Sequence, residues 1–344
     1  MSFTKLDPTD FVVSADSVTA PAWSNNVTIL SSFYTASAAS TGSYFIDVYD
    51  GPITSPSASI QFSIAYGHSL GSGSALLNTL VPQNSPTRIT FGQYRNLIYG
   101  DAESAVNFGS GNTSSIDLIA IPIDRNRYKE GLFPGTMNLH LSSSANSILK
   151  LTDNSNDVTI VSYVDGGRVY NIVSGSNGTA ANSPLLTGAT TRGYTPSGSY
   201  GLMLPDMGLI LLNPKALGLS AANGGLGITL STANTAFAAS ANFETIFQAI
   251  NKGAYFQLNS QETISSNYIF VRIKNSEYNY TTNPSFISGS GTLIYSNFIN
   301  SPQTFPTTVG MYNSNNELLA VAKLSKPLTK DFTKEALIRV KLDW

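Results

Sequence analysis

A chain of 344 residues is long enough for one large or two medium domains, each burying a core of its own. Only 12% of its residues are charged, against roughly 25% in ordinary soluble chains, and 19 basic against 21 acidic residues leave a formal charge of −2. That balance excludes long-range attraction to nucleic acid or an acidic membrane, and zero cysteines exclude disulfides, thiolate metal sites and thiol nucleophiles.

Residues 1–43 mix Ser, Thr, Ala and Asn around one expected strand, Val27 to Tyr34, and read as an extended arm or edge strand. The N-terminus lacks a signal peptide's apolar stretch, and no apolar run approaches the ~20 residues of a membrane span. The expectation is a protein that stays in the cytosol or in something assembled there. Strands follow at Tyr44 to Tyr49 and Ser59 to Tyr66, the second with Ile60, Phe62, Ile64 and Tyr66 on one face. Further strands are expected at Arg88 to Phe91, Ile116 to Ile121 and Met137 to Leu141, with long polar connections between them. Residues 1–155 thus read as an N-terminal β domain.

Residues 156–235 read as a hairpin-rich middle segment. Asp165-Gly166-Gly167 joins Val158 to Val164 and Arg168 to Val173, and a turn at Pro205-Asp206 joins Tyr200 to Leu204 and Gly208 to Leu212. Ser174 to Gly198 is too long and polar for an ordinary connection, so a flexible surface loop ordered only by a neighbour is expected. In residues 236–344 one amphipathic helix is expected near 237–252, with Phe243, Ile246, Phe247 and Ile250 at helical spacing and Gly253 as its stop. Strands resume at Ala254 to Leu258, Asn267 to Lys274 and Thr292 to Phe298. A closing hairpin follows, Val309 to Tyr312 and Leu318 to Leu324, turning at Asn313 to Asn316. In the last strand Ala336, Ile338, Val340 and Leu342 share one face and Leu337, Arg339, Lys341 and Asp343 the other. The fold class expected is mainly β, with antiparallel sandwich-like sheets and long loops, and this third part is free to share one core with the first.

Catalytic signals are sparse. Gly67-His68-Ser69-Leu70-Gly71 matches the G-x-S-x-G elbow of serine hydrolases and stands after a strand. A serine hydroxyl needs an oriented imidazole to take its proton, and the downstream histidine is His140, on an expected strand. The bland reading, a Gly-rich and Ser-rich turn with His68 bonded to loop backbone, is preferred. Two histidines and scattered carboxylates form no metal-ligand pattern, and Asp153, Asp157 and Asp165 lack calcium-loop spacing, so no cofactor or metal is expected. Arg125, Arg127 and Lys129 are bracketed by Asp124 and Glu130, which favours a solvated or interface loop over a phosphate site. Surfaces rich in uncharged hydroxyl and amide groups suit large permanent contacts, because few ions need desolvating when two of them meet. The Tyr and Arg anchors expected in such contacts are Tyr94, Arg95, Arg127, Tyr128, Tyr278 and Tyr280.

Several segments carry a resemblance. They include Tyr44-Phe-Ile-Asp-Val-Tyr-Asp50, Gln61 to Ser74, Gly92-Gln-Tyr-Arg-Asn-Leu-Ile-Tyr-Gly-Asp101, Arg127 to Thr136, Asn279-Tyr-Thr-Thr-Asn-Pro284, Ala320 to Pro327 and Asp331 to Asp343. Together they resemble a virion structural protein of contractile-tailed bacteriophages, of the marine and cyanobacterial myovirus type. The resemblance implies a tail or baseplate component without catalysis, located in the virion and assembled in the host cytoplasm. Its implied partners are other tail and baseplate proteins and copies of itself. A receptor-binding or fibre-attachment protein holding host glycan on Tyr and Asn loops is the alternative, and an esterase at Ser69 the remote one.

Overall fold

The computed structural model describes the chain except residues 1–3, 36–44, 71–86, 103, 110–113, 144–146, 183–184, 232–235, 282 and 344, and except the side chains of 236–240. Tyr44, Gly71 and Trp344 therefore lie outside the described residues. In chain order the first strands are β1 (Phe11–Pro21), β2 (Ile29–Leu30), β3 (Tyr34–Thr35), β4 (Phe45–Tyr49) and β5 (Ile60–His68). Helix α1 (Thr87–Tyr99) leads to β6 (Val106–Asn107), β7 (Ser114–Ser115), β8 (Asp117–Pro122), β9 (Gly131–Leu132), β10 (Asn138–Ser142) and β11 (Ile148–Asp153). Then come β12 (Ser162–Val164), β13 (Gly167–Ser176), β14 (Thr179–Ala180), β15 (Gly201–Leu204), β16 (Leu209–Leu212), α2 (Pro214–Gly218) and α3 (Ala236–Gly253). The chain closes through β17 (Phe256–Gln257), β18 (Asn259–Ile273), α4 (Asn297–Asn300), β19 (Thr308–Tyr312), β20 (Leu318–Lys323) and β21 (Ala336–Asp343).

The fold is mainly β, with large antiparallel sheets, as its alternating segments imply, and it includes a curled half-barrel sheet. The chain divides into a larger unit, Val18–Glu262, and a smaller one formed by Met1–Ser17 with Thr263–Trp344. The division does not fall at 155 or 235, because residues from 22 to 258 share one core.

In the larger unit the sheet order is β2-β17-β10-β11-β13-β15-β16-β8-β5-β4-β3. Strands β2 and β3 stand at opposite ends of that order, yet Ser31, Ser32 and Phe33 alone separate them in sequence. A link that short spans at most about 14 Å, so the sheet has to curl until its ends approach. Helix α3 fills the curl and touches β4, β5 and β10. Its Phe243, Ile246 and Ile250 are fully buried, the stripe that their spacing predicts. The helix runs through Gly253 itself. The left-handed residue is Ala254 (φ 48°), while a Cβ on Gly253 would run into the His140 carbonyl, so that glycine serves close packing of the helix end on β10.

The central strands are covered on both faces. On β8 Ile119 and Ile121 join the core around α3, and Leu118 and Ala120 join a second core under α1. On β16 Ile210 and Leu212 go to the first core, and Leu209 and Leu211 to the second. Period-2 alternation with both faces buried makes these strands continuous apolar runs.

Three expectations need correction. Arg88 to Phe91 belongs to helix α1, not to a strand, and Thr87, Phe91, Arg95 and Ile98 form its buried stripe. Four alternating residues mimic a strand, and an arginine on the buried stripe masks the helical period. Thr292 to Phe298 is no strand either: Leu293 makes an isolated bridge to Ile287, and α4 begins at Asn297. Lastly, the described residues of segment 174–198 are hydrogen-bonded from within the chain. Ser174 N–H donates to the Gly193 carbonyl (2.9 Å), Ala181 N–H to the Ser174 carbonyl (2.8 Å), and β14 pairs with β13.

In the smaller unit β18 lies between β1 and β21, with Ser266 to Ile273 paired antiparallel to Ala336 to Asp343. The closing strand alternates as read, with Val340 buried and its neighbours on that face half-buried. Hairpin β19–β20 turns at Asn313, whose side chain accepts from the backbone N–H groups of Asn315 and Glu317 (both 2.9 Å), and Asn316 is left-handed (φ 61°).

Candidate assembly surface

The six expected contact residues do not form one cluster. Arg95 is only 9% exposed, and its side chain is used inside the chain. Its Nε and Nη2 donate to the Ser104 carbonyl and Oγ (both 2.8 Å), and its guanidinium lies 3.8 Å over the Tyr99 ring. Tyr94 packs beside it on the core under α1, and burial pushes its phenol pKa up. Tyr128 is likewise interior. Its hydroxyl donates to the Met207 carbonyl (3.0 Å), and Arg125 stacks over its ring at 4.7 Å. Arg127 is half-buried in the turn that precedes it. Arg95 and Tyr128 thus hold this chain together and offer a partner nothing. Only Tyr278 and Tyr280, both in the smaller unit, present large exposed surface.

The Gly67-His68-Ser69 motif has a packing explanation. Strand β5 ends at His68, and the next residue's N–H, that of Ser69, donates to the Ile116 carbonyl (2.8 Å). His68 is buried, and its Nδ1 accepts from the Leu70 N–H (3.1 Å). A Cβ on Gly67 would stand 2.7 Å from the Phe91 nitrogen, so glycine here lets α1 lie directly on β5. His140 sits on β10, with β11, β13, β15, β16 and β8 between it and β5 in the sheet, and stacks on Tyr255 at 4.3 Å. Beside the motif Tyr66 donates to Asp117 (3.3 Å), which also accepts from Ser115 Oγ (2.6 Å). Burial, then the Asp117 charge, drives the Tyr66 pKa far up and keeps that phenol a donor. We expect Gly67→Ala to cost about 1–3 kcal/mol, because backbone has to move, and Ser69→Ala to stay within about 0.5 kcal/mol. Urea titration of both variants checks this, and equal effects would refute the packing role.

The unusual surface lies in the smaller unit. Among its described residues only Ile269, Ile273 and Val340 are buried apolar side chains, and none belongs to either core cluster. Among the described residues eighteen large apolar side chains of this unit are exposed, against fourteen in the much longer remainder of the chain. Exposed apolar area at this density is the kind that contact surfaces carry.

Part of it is an arm. Thr304 and Lys330 exchange backbone hydrogen bonds (both 2.9 Å), Leu328 N–H donates to the Pro306 carbonyl (3.0 Å), and the ladder continues through β19 and β20, which among the described residues pair only with each other. The root of the arm is Lys330, fully buried, whose Nζ donates to the Asn279 Oδ1 (2.7 Å) and to the Asp331 and Asn275 carbonyls (2.9 and 3.0 Å). Sequence reading missed this surface, although a signal was present. In Leu318-Leu-Ala-Val-Ala322 both faces of the strand are apolar, and an isolated two-stranded hairpin has no core for either.

No protein-family model, curated protein or solved structure matches this chain. Among the described residues no three His, Asp or Glu side chains are grouped to hold a metal ion, and no helix is long and apolar enough to cross a membrane.

Proposed function

We propose that this protein is a structural component of a bacteriophage virion, built into the baseplate of a contractile tail and working through contacts with neighbouring subunits. The observation that carries the assembly part is the smaller unit, with three buried apolar side chains and eighteen exposed ones among its described residues. A unit so built gains the rest of its burial from a neighbour. Apolar burial is worth about 25 cal/mol per Å², so leaving that surface wet forfeits the largest stabilising term available to it. The sparse charge of the chain supports the same reading, since permanent contacts avoid ion desolvation. Its placement in a contractile tail rests on the resemblance of Gly92 to Asp101, Asn279 to Pro284 and the closing strands.

Mass spectrometry of purified particles tests the proposal, and cryo-electron microscopy of intact particles places the subunit. Absence from the particles overturns it. A second reading, attachment to host glycan, is favoured by one observation, the exposed rings of Tyr278, Tyr280 and Tyr295. Specific signal on a glycan array that is lost in Tyr280→Ala would establish it. Fluorophosphonate labelling lost in Ser69→Ala would instead establish an esterase.

A further inference from the structure

We infer that the arm pairs with the same arm of a second copy, strand β20 against strand β20, antiparallel about a twofold axis through Ala320. The inference rests on the assembly reading above and names the partner. Strand β20 is hydrogen-bonded on one side, to β19, and its other edge is unpaired among the described residues. Natural edge strands are protected by prolines, bulges or charges. Leu318 to Ala322 has neither proline nor charge; its register against β19 slips by one residue at Leu319 and is regular from Ala320 to Lys323, and such uncharged apolar segments pair with identical copies.

Charge selects the partner and the direction. Glu317 and Lys323 flank the apolar run, both exposed, each three residues from Ala320. Antiparallel pairing centred on Ala320 sets Glu317 of each copy opposite Lys323 of the other, and Leu319 opposite Val321. Parallel pairing would set like against like. Opposite charges facing across strands stabilise and like charges repel, so the seven residues Glu317 to Lys323 complement themselves in one orientation. Contact in which residue i meets j and j meets i is what a twofold interface requires. Leu319 and Val321, 69% and 60% exposed, meet across the axis and close over their counterparts. The exposed side chains of the arm, Phe305, Tyr312, Leu318, Leu319 and Val321, offer on the order of 500 Å². With the strand backbone this approaches the ~800 Å² per partner of a stable interface.

Sedimentation velocity of the full-length protein tests this. The wild type is expected to dimerise, Glu317→Lys to weaken the dimer about tenfold, and the double swap Glu317→Lys with Lys323→Glu to restore it. Val321→Lys, with unchanged circular dichroism, is expected to be monomeric. Failure of the double swap to rescue, or dimerisation of Val321→Lys at wild-type strength, overturns the pairing. A chain found in purified particles but monomeric up to about 100 µM removes this inference and leaves the virion reading in place. A chain that dimerises with charge-swap rescue but is absent from particles does the reverse.

Discussion

Phe62→Ala is expected to lose about 3–5 kcal/mol of stability, the largest single effect in the larger unit. Phe62 is fully buried, and its ring centroid lies 5.4 Å from Phe256, 6.1 Å from Trp23 and 6.2 Å from Phe33. Phe256 belongs to β17, second from one end of the curled sheet, and Phe62 to β5, third from the other end. Phe33 lies in the three-residue link between the two terminal strands, and Trp23 is pinned by its indole N–H on the Phe256 carbonyl (2.7 Å). The cluster is therefore the seam of the curl. Truncating Phe62 leaves a cavity where the two ends of the sheet meet, and edge-to-face pairs lose about 0.5–1.5 kcal/mol each beyond the area term. Phe45→Ala, on the exposed face of neighbouring β4, is the control and should stay within about 0.5 kcal/mol. Urea unfolding of both variants by tryptophan fluorescence measures the difference. A Phe62→Ala loss below about 1 kcal/mol would contradict a seam that depends on this ring.

Lys330→Met is expected to release the arm while the larger unit stays folded. The ammonium of Lys330 has three protons and three carbonyl acceptors, from Asn275, Asn279 and Asp331, and it is fully enclosed. Methionine keeps most of the volume but leaves the buried Asn279 Oδ1 without a donor, at about 1–3 kcal/mol, while the Asn275 carbonyl keeps the Asn279 Nδ2 (2.6 Å) and the Asp331 carbonyl the Lys334 N–H (3.2 Å). With only three buried apolar side chains described in the smaller unit, little remains to offset that loss. The expected result is rapid proteolysis between residues 275 and 331, with a resistant fragment spanning about residues 18–262, where the apolar cores lie. Lys330→Arg should fail as a rescue, because a planar guanidinium does not fit a site built for three convergent bonds. Uniform resistance of Lys330→Met to protease would show that the arm is held by something else.

Much of this fold was readable from period alone. Ile60 to Tyr66 and Met137 to Leu141 alternate because one residue in two meets the core around α3, Ala336 to Asp343 alternates between less and more exposed side chains, and each is a strand. Phe243, Ile246, Phe247 and Ile250 repeat at helical spacing because α3 buries a single stripe. The candidate surface was less legible. Residue type and position in long irregular stretches suggest Tyr94, Arg95, Arg127 and Tyr128 as contact anchors, but Arg95 and Tyr128 have hydrogen-bond partners far along the chain, or across a turn, that only folding supplies. Tyr278 and Tyr280 stay exposed in a unit that buries only three apolar side chains among its described residues. Segment 1–43 hid strand β1, whose residues are nearly all exposed and so carry no alternation to detect.

By itself the sequence determined the class of the fold, the position of the long helix and most of the strands, since each depends on the spacing of neighbours a few residues apart. It also set the near-neutral charge and the absence of thiol chemistry, which are sums over residues and need no folding. Tertiary structure alone decided that two strands separated by three residues sit at opposite ends of one sheet, that Gly67 makes room for a helix, and that the described part of the smaller unit keeps most of its large apolar residues on the outside. Those outcomes depend on which distant surfaces meet, and the free energy of such a meeting is a property of pairs of segments that no local pattern records.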